Sequence, residues 1–526
     1  MEARSVRLAL AVLTLAAFAA VPSAASAARF KYGVAAGDVS SSSAVLWGRA
    51  AGRATVKLHV SLSKRFKRSR TKTYRVKARK SHDYTVQRRV KRLKAGRTYW
   101  FRFLSGHRKS KKGTFKTAPR RSKNARIRFA WTGDTDFNPA PGQTKPYWNS
   151  GGIYRQMRRE KNAFNVNLGD TMYSDSEIPG RLNPIALTLE QKWAKYRINL
   201  ANRFLSGLRG SGVFYSVWDD HEFIDNFSPN QNTFNNGVSI NGHTLFRRGA
   251  AAFRDYAPVT YSKRNGTYRS FRWGRNLELF LLDERSFRSA TADNSGVCDN
   301  PQTHQPDYAP TAPPANRAVF GAVLPATGLS QPVNPACLAA IRSSKRTFLG
   351  SRQYSRFTKA IKRSTARWKV IINEMPIQQS YAFPYDAWEG YEHERQRLLH
   401  FLHDNVKNVI FLTTDVHATL VNDARFQTLE QGGPMNSGIY DFTVGSAATE
   451  SYAREIDERA GPGAGQLVAN GFFKPQPPNG VGMRCAVMDK FSYGEVSVTR
   501  SKLSVTPKGI DGKPLSDCAP LVLNHR

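Results

Sequence analysis

Acidic residues are scarce in this chain, 39 Asp and Glu against 80 Lys and Arg, and the scarcity is concentrated at one end. Between Ala28 and Arg126 only Asp38 and Asp83 stand against 31 lysines and arginines, whereas from Ile127 onward 47 basic residues meet 36 acidic ones. So basic a segment attracts polyanions such as nucleic acid, anionic wall polymer or acidic lipid headgroups; the alternative is that the charge serves solubility alone. Long hydrophobic runs are missing after the start of the chain, which excludes a membrane span in its mature part. The apolar stretch at the start, Leu8 to Val21, follows Arg4 and Arg7 and leads to Ala25-Ser26-Ala27. That pattern predicts a Sec-type signal peptide over residues 1–27 and a secreted product, extracellular or periplasmic.

Cysteine is rare too, with four in 526 residues, and none lies in a C-x-x-C spacing, so a thiolate zinc site is excluded. An even number in an exported chain predicts two disulfides. Of the three connectivities, Cys298–Cys337 and Cys485–Cys518 are preferred because each closes a loop-rich local segment. No repeat of fixed period is visible.

A mature chain of about 500 residues is too long for one ordinary core and predicts two domains. Residues 28–119 hold short alternating runs such as TVKLHVSLS and TYWFRFLSG between Gly, Ser or charged turns, the spacing of an antiparallel β-sandwich. RTYWFRF resembles the tyrosine-bearing late strand of fibronectin-like modules. From residue 125 to the end, strand and helix patterns alternate, which is α/β layering. The long helix pattern beginning at Thr188 packs through Trp193 and Tyr196, and the strand patterns GIYDFTVG and GEVSVTRSKLSVTP complete a second sheet. Residues near 290–345, rich in Pro, Ala, Asn and Ser, read as a long insertion stapled by cysteines.

The chemistry lies at strand ends. NAFNVNLGDTMY is a short buried strand that breaks at Gly169 into Asp170, with Tyr173 three positions on. Taken alone, Gly169 and Asp170 can equally be a simple turn. The same grammar recurs in FAWTGDTD, ending in Asp134 and Asp136, in VFYSVWDDHE, with Asp220 and His221, and in NVIFLTTDVH, with Asp415 and His417. Carboxylates at the carboxyl ends of strands are where an open α/β sheet keeps its ligands. Hard oxygen donors with a few imidazoles suit iron, manganese, zinc or calcium, and two such ions supply a hydroxide and positive charge for phosphate-ester hydrolysis. Arg285, just past LELFLL, either clamps phosphate or forms a salt bridge on the sheet. Asn373, ending WKVII, is a candidate carbonyl ligand, and Asp219 is assigned no direct ligand role.

In order, GDTD, NLGDTMY, WDDHE, LDERSFR, RWKVIINEMP and TTDVH, after a segment beginning YGVAAGDVSSSSAVLWGRA, resemble the PhoD-like alkaline phosphatase D family of calcineurin-like metallophosphoesterases. The resemblance covers nearly all of the mature chain. It implies a fibronectin- or immunoglobulin-like β-sandwich followed by a four-layer α/β/β/α metallophosphatase domain that hydrolyses phosphate mono- or diesters, polymeric or lipid-derived among them. It further implies that Asp170 bridges two metals and that Tyr173 adds a phenolate to an iron-like site. Asp220, Asp415 and His417 would bind metal, and His221 would be the catalytic histidine. Where the best-known members carry a cysteine thiolate on iron, this chain has Asp134, with Asp136 two residues on, which leaves the metal pair open: iron with calcium, manganese or zinc. The rival reading is a polyanion-binding wall protein with a vestigial site, against which stands the absence of any apolar replacement at the expected ligands.

Overall fold

The computed structural model describes residues 29–176, 178, 185–235 and 238–526, so the expected leader at residues 1–27 lies outside the described part. The first layers are two antiparallel sheets. Phe30–Gly37, Ser43–Ala50 and Thr85–Lys91 make one; Ala54–Ser61, Thr71–Ala78, Thr98–Ser105, Arg108–Lys109 and Gly113–Lys116 make the other. Strand Thr98–Ser105 turns Tyr99, Phe101 and Phe103 inward, as a period of two requires. The Tyr99 hydroxyl accepts a hydrogen bond from the Lys94 amide at 2.8 Å, tying the strand to the turn before it much as a tyrosine corner does.

The two acids of the basic segment both sit where this sandwich docks on the rest of the chain. Asp38 receives the Arg269 guanidinium at 2.8 Å, and Asp83 receives Arg49 at 2.7 Å, Arg197 at 2.6 Å and the Tyr256 hydroxyl. Trp47 donates its indole N–H to the Asp255 carbonyl at 2.7 Å beside them. A segment with so few carboxylates has placed both against arginines, Arg269 and Arg197 of the neighbouring layers and Arg49 of its own.

Two further sheets stack face to face. One runs Phe214–Val217, Phe164–Leu168, Ile127–Thr132, Ser492–Val498, Lys502–Gly509 and Leu521–Asn524, with its first three strands parallel. The other centres on the parallel strands Leu277–Leu281, Trp368–Ile372 and Val409–Thr413. Alternation assigns the layers. Phe129, Trp131, Val166, Leu279, Val370 and Leu412 fill the space between the sheets. Residues of opposite parity meet helices: Ala130 and Phe214 meet Gly152–Arg159, Leu189–Ala201 and Gly242–Tyr256, while Phe280, Ile371 and Phe411 meet Ser351–Lys362 and Glu392–Asn405. The result is four layers, α/β/β/α.

Three local readings change. The helix from Thr188, capped by a reciprocal Thr188–Gln191 box, stops at Ala201, and Asn202 caps a second helix, Arg203–Ser211. Trp193 and Tyr196 are buried as expected. GIYDFTVG belongs to strand Met435–Thr443 of the seven-stranded sheet, whereas the last hairpin joins the six-stranded one, so the two do not share a sheet. Strand Thr419–Gln427, which no alternation announced, is covered on both faces and so carries no period-two signal. The Pro-rich segment near 290–345 contains helices Pro314–Val323 and Pro335–Arg342, both begun by proline at the first turn. The disulfides are Cys298–Cys337 and Cys485–Cys518.

Candidate metal centre

Parallel strands end on the same side, so each sheet delivers its carboxyl termini to one edge, and side chains lock those edges together. Trp131 donates its indole N–H to the Thr413 carbonyl at 3.1 Å, and the Thr414 hydroxyl donates to the Leu168 carbonyl. Past these ties the backbone leaves the extended region abruptly. Asp134, Asp170, Asp415 and His417 all have positive φ, between 44° and 69°. Left-handed backbone is uncommon outside glycine and concentrates at functional sites. Gly169, at φ 85°, precedes Asp170, and a Cβ there would lie 2.7 Å from that of Asp219. Only glycine lets the two strand ends approach so closely.

Three sets of donor atoms, each lying mutually within 4.8 Å, result: Asp134 with Asp170 and His417, Asp170 with Asp220 and His221, and Asp219 with Asp220 and Asp415. Asp170 is common to the first two. Asp134 is fully buried and neither of its oxygens has a hydrogen-bond partner of good geometry; the nearby Asp415 amide offsets only part of the effect of burial. Asp219 likewise has one buried oxygen without a partner. Unpaired carboxylate oxygens in a dry interior cost several kcal/mol unless something positive meets them. The residues therefore fit metal ions.

Electrostatics agree. Burial first, and then the neighbouring Asp219, push the carboxyls of Asp134 and Asp415 well above the usual range; Asp170 is raised by burial and by Asp220 and Asp219, against the pull of His221. Cations set among these groups would turn repulsion into coordination. Burial, and then the nearby His221, depress His417 to about 3, leaving the neutral imidazole a metal needs. The Tyr173 hydroxyl and His417 Nε2 are 2.8 Å apart. His221 is different: burial opposes its charge, but Asp175, Asp170 and Asp220 hold its pKa well above that of an ordinary histidine. Its Nδ1 pairs with Asp175 at 2.7 Å, and its ring stacks on Tyr173 with centroids 3.9 Å apart. Asp170, Asp220, His221, Asp415 and His417 open into one cleft of about 690 Å³.

Three expected site residues stand elsewhere. Asp136 does not alternate into the site because the chain has already broken at Asp134; its oxygens accept from the Asn138 amide at 2.8 Å and from Ser176. The Asn373 side-chain oxygen accepts from the Trp388 indole N–H at 3.1 Å, and its amide nitrogen donates to the Met375 carbonyl. Arg285 does not line the cleft. It is completely buried, paired with Asp219 at 2.6 Å and Asp386 at 2.7 Å, and its third nitrogen is 3.6–3.7 Å from Asp220 and Asp415. It serves as the protein's own counter-charge beneath the donors.

Sequence reasoning missed Asp175, Asp386 and Lys192. Asp175 was within reach, five residues past Asp170 in the same loop, but Asp386 lies in a segment without strand-end grammar. Lys192 sits on a helix read as structural, and its ammonium joins two ligand loops, donating to Ser174 Oγ at 2.7 Å and to the Phe223 carbonyl at 2.8 Å.

Comparison with known proteins fits this arrangement. The first part of the chain, residues 16–119, matches the family profile described as PhoD-like phosphatase, N-terminal domain. Alkaline phosphatase D of Bacillus subtilis (strain 168) is 26% identical over 429 residues, 74% of this chain, and the match spans 64% of that relative's length. A solved structure titled as that of PhoD superposes with TM-score 0.68 at 20% identity, covering 95% of this chain and 90% of its own. Purple acid phosphatase PPD1 from yellow lupin follows at TM-score 0.55 and 11% identity, covering 94% and 74%. At such identities these two establish shared architecture. The profile described as PhoD-like phosphatase matches residues 142–503, well over half of the chain, which therefore belongs to that family.

Proposed function

We propose that this protein is a secreted metal-dependent phosphoesterase that hydrolyses phosphate mono- or diesters. The observation that carries the proposal is Asp134: a fully buried carboxylate with neither oxygen in a hydrogen bond of good geometry, within 4.8 Å of donor atoms of Asp170 and His417 at the base of a polar cleft. Two or more ions, iron with calcium, manganese or zinc, would supply a hydroxide nucleophile near neutral pH and positive charge facing the phosphoryl oxygens. Asp134, Asp170, Tyr173 and His417 would hold one position; Asp170, Asp220 and Asp415 would hold the other, with Asp170 shared. Asp219 and Arg285 lie beneath the second position, the arginine pulling the carboxyls of Asp220 and Asp415 down against the effect of burial.

Asp175 and its acidic neighbours favour the imidazolium form of His221, which suits it to a general acid's part. With Nδ1 engaged by Asp175, the proton passed to the departing alcohol is assigned to Nε2. The basic sandwich suits an anionic polymer or surface: Lys64, Arg65, Arg102, Lys109, Lys111 and Lys112 line one groove, with Arg102 stacked 4.2 Å over Phe66. Hydrolysis of p-nitrophenyl phosphate and of its bis ester, with and without chelator, tests the proposal. Turnover that a chelator abolishes and added metal restores is expected; turnover indifferent to chelator would overturn it.

A further inference from the structure

Beside the catalytic cleft lies a second, apolar cavity of about 70 Å³. The two are neighbours with a common wall, for Tyr308, Ala382, Phe383 and Arg459 line both. Beyond that wall the lining is Ala312, Phe320, Leu324, Ile456 and Phe472. It comes from three separate parts of the chain: the disulfide-bonded insertion, the segment near Tyr381, and the helices Tyr452–Ala460 and Ala464–Val468 with the turn that follows. Arg317 also borders the cavity, but its guanidinium is committed to Asp307 at 2.6 Å and 2.8 Å, so that it contributes methylenes. Helix Pro314–Val323 exposes Val319 and Val323, and helix Ala464–Val468 exposes Leu467.

We infer that this cavity receives an apolar substituent, alkyl or aryl, carried by the alcohol of the phosphate ester. The inference rests on the phosphoesterase reading and deepens it by naming the class of leaving or retained group. An apolar pocket gains nothing from the charged phosphate itself, and a lining almost without polar atoms offers water few partners, which favours filling by methylenes. Arg459 stands at the junction. It is the sole lysine or arginine among the described residues lining the cleft, pairs with Glu455 at 2.9 Å and lies 4.8 Å over the Phe383 ring. In that position its charge can meet a phosphate oxygen while the adjoining rings accept the chain.

The test is a series of non-hydrolysable alkylphosphonates, methyl to hexyl, titrated calorimetrically into the metal-loaded full chain, alongside turnover of p-nitrophenyl alkyl phosphates of the same lengths. Each methylene covered should tighten binding about fourfold, or roughly 60-fold over three, until the cavity is full. Ala312→Trp, which fills the cavity from a position outside the cleft, should flatten the series while methylphosphonate affinity and metal content stay at wild-type values. Val468→Trp serves if Ala312→Trp does not fold. A flat series in the wild type, or the same slope in the filled variant, would overturn the inference. Chain-length-dependent binding without turnover of any ester would instead count against the phosphoesterase reading and leave the cavity's assignment standing.

Discussion

Replacing Arg285 by methionine separates a counter-charge from a substrate clamp. The guanidinium is wholly buried, 2.6 and 2.7 Å from the carboxylates of Asp219 and Asp386 and 3.6 and 3.7 Å from those of Asp220 and Asp415. At an effective dielectric of about 20, each close contact is of order 4 kcal/mol, and desolvating the guanidinium offsets much of the sum. What remains when one partner of such a cluster is removed is a loss of about 3–5 kcal/mol, because the carboxylates stay buried without compensation. For roughly 400 residues unfolding with this domain, that is a fall in Tm of about 5 °C. Thermal unfolding of Arg285→Met should show that loss in chelator and a smaller one with metal present, since added cations partly replace the missing charge. KM for a small phosphate ester should change little in the metal-loaded variant. A Tm within about 1 °C of wild type in chelator, together with a raised KM, would refute the argument and return Arg285 to the substrate.

Three further perturbations test other parts of the account. Asp83 is pushed upward by burial, but hydrogen bonds from Arg49, Tyr256 and Arg197 outweigh this and hold its pKa below the ordinary 3.8. The stabilisation is therefore present above pH about 4 and lost as pH falls through the lower folded value, so Asp83→Asn should cost about 2–4 kcal/mol at pH 7 and progressively less in acid; a deficit that persists undiminished at pH 2–3 would contradict the pairing. His221→Ala should slow turnover by roughly 10² to 10⁴ and leave metal content nearly intact, whereas metal loss would move this residue among the ligands. Changing Lys64, Arg65, Lys109, Lys111 and Lys112 together to glutamine should weaken the salt dependence of turnover of a phosphate polymer and leave p-nitrophenyl phosphate untouched; equal effects on both would assign the charge to solubility.

The sequence announced the strand ends because each combines a buried run with an abrupt acidic stop, a signal that is local and survives without tertiary information. Asp134, Asp170, Asp220, His221, Asp415 and His417 were legible for that reason, and the structure brings their donor atoms together. Asp136 and Asn373 follow the same grammar but find hydrogen-bond partners nearby, and the direction of a side chain past a strand end depends on backbone angles that composition does not encode. Arg285 was visible as a charge, but its choice between substrate and carboxylates is decided by depth, a property of the assembled sheets. Asp386 reaches the site from a loop more than 100 residues from Asp219, and no periodicity marks such a residue. The apolar cavity was equally hidden, because its walls come from segments that look unremarkable until the disulfide-bonded insertion folds over the cleft.

The most direct test of the central claim is the metal content of the wild-type protein and of Asp134→Asn and Asp170→Asn, measured by plasma mass spectrometry after loading and gel filtration. The account predicts at least two ions per chain in the wild type, a lower content in both variants, and the greater loss in Asp170→Asn, whose carboxylate belongs to two of the three donor sets. A wild-type chain that binds no metal, or variants that keep the full complement, would contradict it.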